Sequence, residues 1–165
     1  MELDRNQTNQ TYIRLLIDSS NRKQGILKEL MLITEQQEML LKQEDFEEDL
    51  FSLTIEQKEA LLIRLNELDS GFEQIYSNVK EELKDNRFRY EIEIKTIQEQ
   101  ITAITDTSVR LQALEQRNKL RLEAVLAAKR KDIRSSKVSS QTAAKYYKTM
   151  TNQNEVQALF YDKKN

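Results

Sequence analysis

Across 165 residues the chain contains no proline and only two glycines, Gly25 and Gly71. A helix interior loses about 3 kcal/mol to proline and about 1 kcal/mol to glycine, so little here interrupts long helices. Cysteine, histidine and tryptophan are absent as well. Histidine is the usual general base near neutral pH, and histidine and cysteine are the usual transition-metal ligands. Triads, zinc sites and thiol chemistry therefore have almost no residues to draw on, and no cofactor is expected. The composition points to a helical binding or structural protein without enzymatic activity.

Charged residues make up 33% and apolar ones 38% of the chain, which suits elongated helices better than a sphere. The chain is still too apolar and too periodic for wholesale disorder. A net charge of −2 gives no global attraction to nucleic acid or to an anionic membrane. No apolar run approaches the ~20 residues of a membrane span. Met1-Glu2-Leu3-Asp4-Arg5 lacks the basic and apolar stretches of a signal peptide. A soluble, cytoplasmic protein is the expectation.

The helical period begins at Tyr12, after a polar start expected to be loose. Ile13, Leu16, Ile17, Ile26, Leu27, Leu30, Ile33, Leu40 and Leu41 recur at three- and four-residue steps, one apolar stripe. The phase is lost around Gln43–Phe46. Asp45 with Glu48, or Thr54 with Gln57, has capping-box spacing for a second helix. Leu61, Leu65, Leu68, Phe72, Ile75 and Val79 then form a heptad seam, which keeps its phase across Gly71. Lys84-Asp85-Asn86-Arg87 is the expected turn. A third stripe follows through Ile94, Ile97, Ile101, Ile104, Leu111, Leu122 and Val125, with Ser108, Glu115 and Asn118 in the same seam. Polar seam residues of this kind fix register or partner number at some cost in stability.

Three stripes joined by short turns predict an all-α fold: an elongated antiparallel three-helix hairpin or coiled-coil bundle over residues 1–135. Residues 136–165 are rich in Ser, Thr, Gln, Asn and Lys and read as a flexible C-terminal tail, with a weak helix near 141–150. Two clusters stand out in this tail: Tyr146, Tyr147 and Met150, then Val156, Leu159, Phe160 and Tyr161. They cannot form a core alone, so they dock on the bundle or engage a partner.

Other constellations carry less. Glu44, Asp45, Glu47, Glu48 and Asp49 lack the spacing and central glycine of a calcium loop and fit a solvated helix start. Glu35 and Glu38 fit an exposed face, and a di-iron bundle would require histidine. The basic stretch Lys119–Lys137 can meet phosphates, but it has no aromatic side chains for base stacking. Neither nucleic acid nor membrane insertion is expected.

The chain resembles the FlgN-type (FlgN/FliT-like) flagellar export chaperone family. The resemblance runs through Leu27-Lys28-Glu29-Leu30, Leu40-Leu41-Lys42-Gln43, Lys58-Glu59-Ala60-Leu61-Leu62-Ile63-Arg64-Leu65 and Leu111-Gln112-Ala113-Leu114-Glu115-Gln116-Arg117-Asn118. Its most specific part is Ala158-Leu159-Phe160-Tyr161-Asp162-Lys163-Lys164 with the upstream Tyr146-Tyr147. It implies a small cytoplasmic chaperone that binds the terminal helices of hook–filament junction or filament-cap proteins, keeps them unassembled and delivers them to the flagellar type III export apparatus. The family's carboxy-terminal half is associated with the client, which here corresponds to the third helix and tail. On that basis Leu111, Leu114, Leu122, Val125 and Leu126 are expected to offer the apolar face. Tyr146, Tyr147, Phe160 and Tyr161 are expected to clamp or gate it. The alternative is a structural coiled-coil adaptor that homodimerises through the 61–79 seam.

Overall fold

In a computed structural model of the chain, residues 2–130 and 141–150 are described. They form α1 (Glu2–Lys42), α2 (Glu48–Asp85), α3 (Glu91–Lys129) and a short helix α4 (141–150), with no strand among the described residues. The three long helices have 41, 38 and 39 residues, so each is about 60 Å long at ~1.5 Å rise per residue. The fold is an all-α bundle.

Side-chain bonds define the directions. Between α1 and α2 the bonded pairs draw closer in sequence along α1, from Lys23–Asp69 (46 apart) to Gln37–Thr54 (17 apart), so these helices run antiparallel. Between α1 and α3 the separation stays within 79–84 from Gln100–Asn21 to Arg121–Glu38, so these run parallel in a single register. The backbone of α1 lies close to those of both α2 and α3, which make no such sustained approach to each other. A groove is left between them.

The core is layered along α1. One apolar cluster joins Ile26, Leu27 and Leu30 to Leu61, Leu62, Leu65, Ile104 and Leu111. A second joins Leu41, Phe51, Ile55, Leu122 and Leu126 to Tyr146 and Met150 of α4. Buried polar residues Thr34, Gln37, Lys58, Glu115 and Asn118 lie between the two clusters in sequence position on every long helix, and Thr54 lies beside them within the second cluster. The heptad residues Leu61, Leu65 and Val79 are buried within the chain.

The helix boundaries depart from expectation at two places. Helix α1 starts at Glu2 rather than near Tyr12. Acidic Glu2 and Asp4 suit the positive end of the helix dipole, and Arg89 reaches across to donate to Asn6 Oδ1 at 3.1 Å. Neither Asp45 nor Thr54 caps α2; its N-cap is Glu47, which makes no side-chain capping bond. Instead Phe46 packs on Phe51 with ring centroids 5.4 Å apart, the N′-to-N4 spacing of a hydrophobic staple. Residues 141–150, where a weak helix is expected within the tail, form α4, and its cluster docks on the bundle. The remaining basic residues Lys131, Arg134 and Lys137 lie outside the described residues.

Gly25 and Gly71 both sit inside helices, without positive φ, and a Cβ at either would meet nothing within 4 Å. Neither glycine is required by the backbone or its surroundings. Gly25→Ala and Gly71→Ala are each expected to stabilise the fold by about 0.5–1 kcal/mol, read as a rise in the thermal midpoint followed by circular dichroism. An unchanged or lower midpoint contradicts the uninterrupted helices.

Candidate functional site

The α2–α3 groove has two halves with different fates. In the half nearest the α1–α2 turn it is filled by α4. Thr142 bonds Glu48, Lys145 bonds Glu56 and Thr149 bonds Glu59, at separations of 94, 89 and 90, so α4 runs parallel to α2. On its other side Tyr147 donates to Glu123 at 3.3 Å, and Lys119 lies over the Tyr147 ring. A helix is thus already seated between α2 and α3.

What seats it is a buried charge pair. Lys58 on α2 and Glu115 on α3 are 1% and 2% exposed, and the Lys58 ammonium donates directly to Glu115 Oε1. Lys58 also donates to Gln37 Oε1 at 3.1 Å, and Gln37 Nε2 donates to Thr54 Oγ1 at 3.1 Å. The Tyr146 hydroxyl donates to Glu115 Oε2 at 2.7 Å, while its ring packs 5.7 Å from Phe51. Asn118 Nδ2 donates to the Thr34 carbonyl at 3.0 Å. All four helices therefore converge on one carboxylate. A buried charge is tolerated only when paired and hydrogen-bonded, and here both partners are.

Burial pushes the Lys58 ammonium below its ordinary value, opposed by the adjacent Glu115 charge. Burial also pushes the Tyr146 phenol far above its ordinary 10.0, reinforced by Glu115. Each shift has the sign expected when the surroundings disfavour the charged form.

The expected client face is largely covered. Leu111, Leu114, Leu122 and Leu126 are buried, as is Tyr146 at 1% exposure, while Val125 and Tyr147 are half-buried. Leu122, Val125, Leu126, Tyr146 and Tyr147 are brought together in one cluster, whereas Leu111 belongs to the other. Phe160 and Tyr161 lie outside the described residues.

Towards the α2–α3 turn, beyond the described extent of α4, a cleft of about 460 Å³ opens among the described residues. Leu16 of α1 lines it, fully buried, with Phe72, Tyr76 and Leu83 from α2 and Ile94, Ile97 and Ile101 from α3. Lys80, Lys84 and Arg87 contribute the charged part of its lining. Sequence periodicity places Leu16, Phe72, Ile94, Ile97 and Ile101 in internal seams, whereas Tyr76 and Leu83 fall outside them. It had also passed over Lys58, although Phe51, Ile55, Lys58, Leu62 and Leu65 follow 4-3-4-3 steps that put the lysine in the stripe. Among the described residues no cluster of three or more acidic side chains is arranged to hold a metal ion, and no helix is long and apolar enough to cross a membrane.

Two outcomes follow for the buried pair. Lys58→Met and Glu115→Gln each leave an uncompensated charge and are expected to cost about 3–5 kcal/mol in urea unfolding. The double substitution is expected to cost clearly less than the sum; strict additivity contradicts the pairing. For Tyr146 the sign is worked from linkage. The folded state keeps the phenol protonated when the unfolded chain begins to lose the proton near 10.0. The stability it contributes is complete below that pH and is lost as pH rises beyond it. Tyr146→Phe is expected to lower stability by about 1–3 kcal/mol at neutral pH. Relative to wild type, it should also flatten the loss above about pH 10; parallel pH profiles contradict this.

In comparisons with known proteins, no family model, no curated protein and no solved structure matches the chain.

Proposed function

We propose that the protein is a flagellar type III export chaperone. It binds the terminal helices of hook–filament junction or filament-cap proteins, prevents their premature assembly and hands them to the export apparatus in the cytoplasm. The observation that carries this reading is the α2–α3 groove, which holds one helix at one end and remains open and apolar at the other. A partner helix laid into such a groove completes a bundle by the helix-in-groove mode of recognition. Terminal segments that order only on binding lose affinity to that ordering, which favours later release. The sequence resemblance of residues 111–118 and 158–164 to FlgN-type chaperones supplies the flagellar assignment. The function requires no catalytic group and no cofactor.

The adaptor alternative needs the 61–79 seam for a second copy of the chain. Leu61, Leu65 and Val79 are buried inside this one, which favours the chaperone.

Co-expression of the intact chain with the junction and cap proteins of the same organism tests the proposal. The expected outcome is a soluble one-to-one complex with at least one of them. Retention of none, together with tight self-association, overturns it in favour of the adaptor.

A further inference from the structure

We infer that the open half of the α2–α3 groove docks an amphipathic helix of about three turns, supplied by a partner protein and carrying acidic residues beside its apolar stripe. The inference rests on the proposal that the protein holds client helices, and it assigns them a place and a charge.

The groove's own contents show what it accepts. Where α4 lies, the α3 residues Leu122 and Leu126 pack with Tyr146 and Met150 and are buried. Beyond the described extent of α4, Ile94, Ile97 and Ile101 of the same stripe are only half-buried. A second helix in line with α4 would cover them as α4 covers the others, continuing a contact already made within the chain. From Phe72 to Lys84 the cleft follows α2 for about 18 Å at ~1.5 Å per residue, which sets the length of the occupant.

Charge sets its character. Lys80, Lys84 and Arg87 are exposed residues of the cleft, and no acidic residue lines it. Acidic side chains flanking an apolar stripe meet these three cations, whereas basic ones are repelled. The chain's own residues 151–165 offer Glu155 and Asp162 against Lys163 and Lys164, a balance that does not match the rim.

The test uses the intact chain and two labelled 14-residue synthetic helices with identical leucine stripes, one flanked by glutamate and the other by lysine. Fluorescence anisotropy is expected to show the glutamate peptide binding more tightly by about tenfold or more, with the difference shrinking as salt rises. Lys84→Glu, on the exposed rim, is expected to narrow or reverse the preference, and Ile97→Asp to abolish binding. Equal binding of the two peptides, or none, overturns the inference. A spin label at Phe160→Cys, unique because the chain has no cysteine, gives an independent check. Broadening of the Ile97 and Ile101 signals in the free protein would make the chain's own segment the occupant. A dimer dissolved by Ile97→Asp would make it a second copy; either result overturns the partner assignment. If flagellar clients are captured equally by wild type, Lys84→Glu and Ile97→Asp, the chaperone function stands and this site falls.

Discussion

The Lys58–Glu115 pair is the contact on which the arrangement of helices depends. Helices α2 and α3 each pack along α1 but make no sustained backbone approach to each other, and they meet through side chains in the two apolar clusters and in the polar layer between them. A buried ammonium on one and a buried carboxylate on the other bridge that gap. Such a pair contributes little net stability against an apolar replacement, yet removing one partner is costly. Its effect is specificity. In the observed register of the three helices Lys58, Gln37, Thr34 and Glu115 are linked by hydrogen bonds, and a shift of any helix would break them.

The same carboxylate binds the chain's fourth helix. Glu115 accepts from Lys58 with one oxygen and from Tyr146 with the other, so the polar layer that spaces α2 and α3 also anchors α4 between them. Seating α4 at that level fills one half of the groove. The other half, past the apolar cluster around Leu30, Leu65 and Ile104, forms the apolar cleft among the described residues. Filled and open halves of one groove are therefore consequences of one layer of residues, and the open half is what a helix-binding function would use.

Much of the fold was legible in the sequence because helical periodicity is a local property. The break at 43–46, a turn beginning within 84–87 and the uninterrupted passage through Gly71 all follow from propensity and phase. Glu115 and Asn118 announced themselves as polar residues in an apolar seam, and both are buried there. The start of α1 was missed because a polar stretch carries no stripe; acidic first-turn residues and a cross-chain bond from Arg89 hold it instead. The site was less legible. Periodicity shows that Ile94, Ile97 and Ile101 share a face, but not whether that face is covered, since covering depends on where α4 ends. Tyr146 was singled out correctly as a residue needing apolar company, whereas its bond to Glu115 joins positions 31 apart and has no local signature.

Amide hydrogen exchange across the intact chain tests the central claim most directly, that a buried ion pair builds an α2–α3 groove and α4 occupies one end of it. The account predicts slow exchange at Tyr146–Met150, in step with the α3 amides around Glu115. Exchange of those α4 amides at the rate of an unstructured peptide, while α3 stays protected, would contradict it.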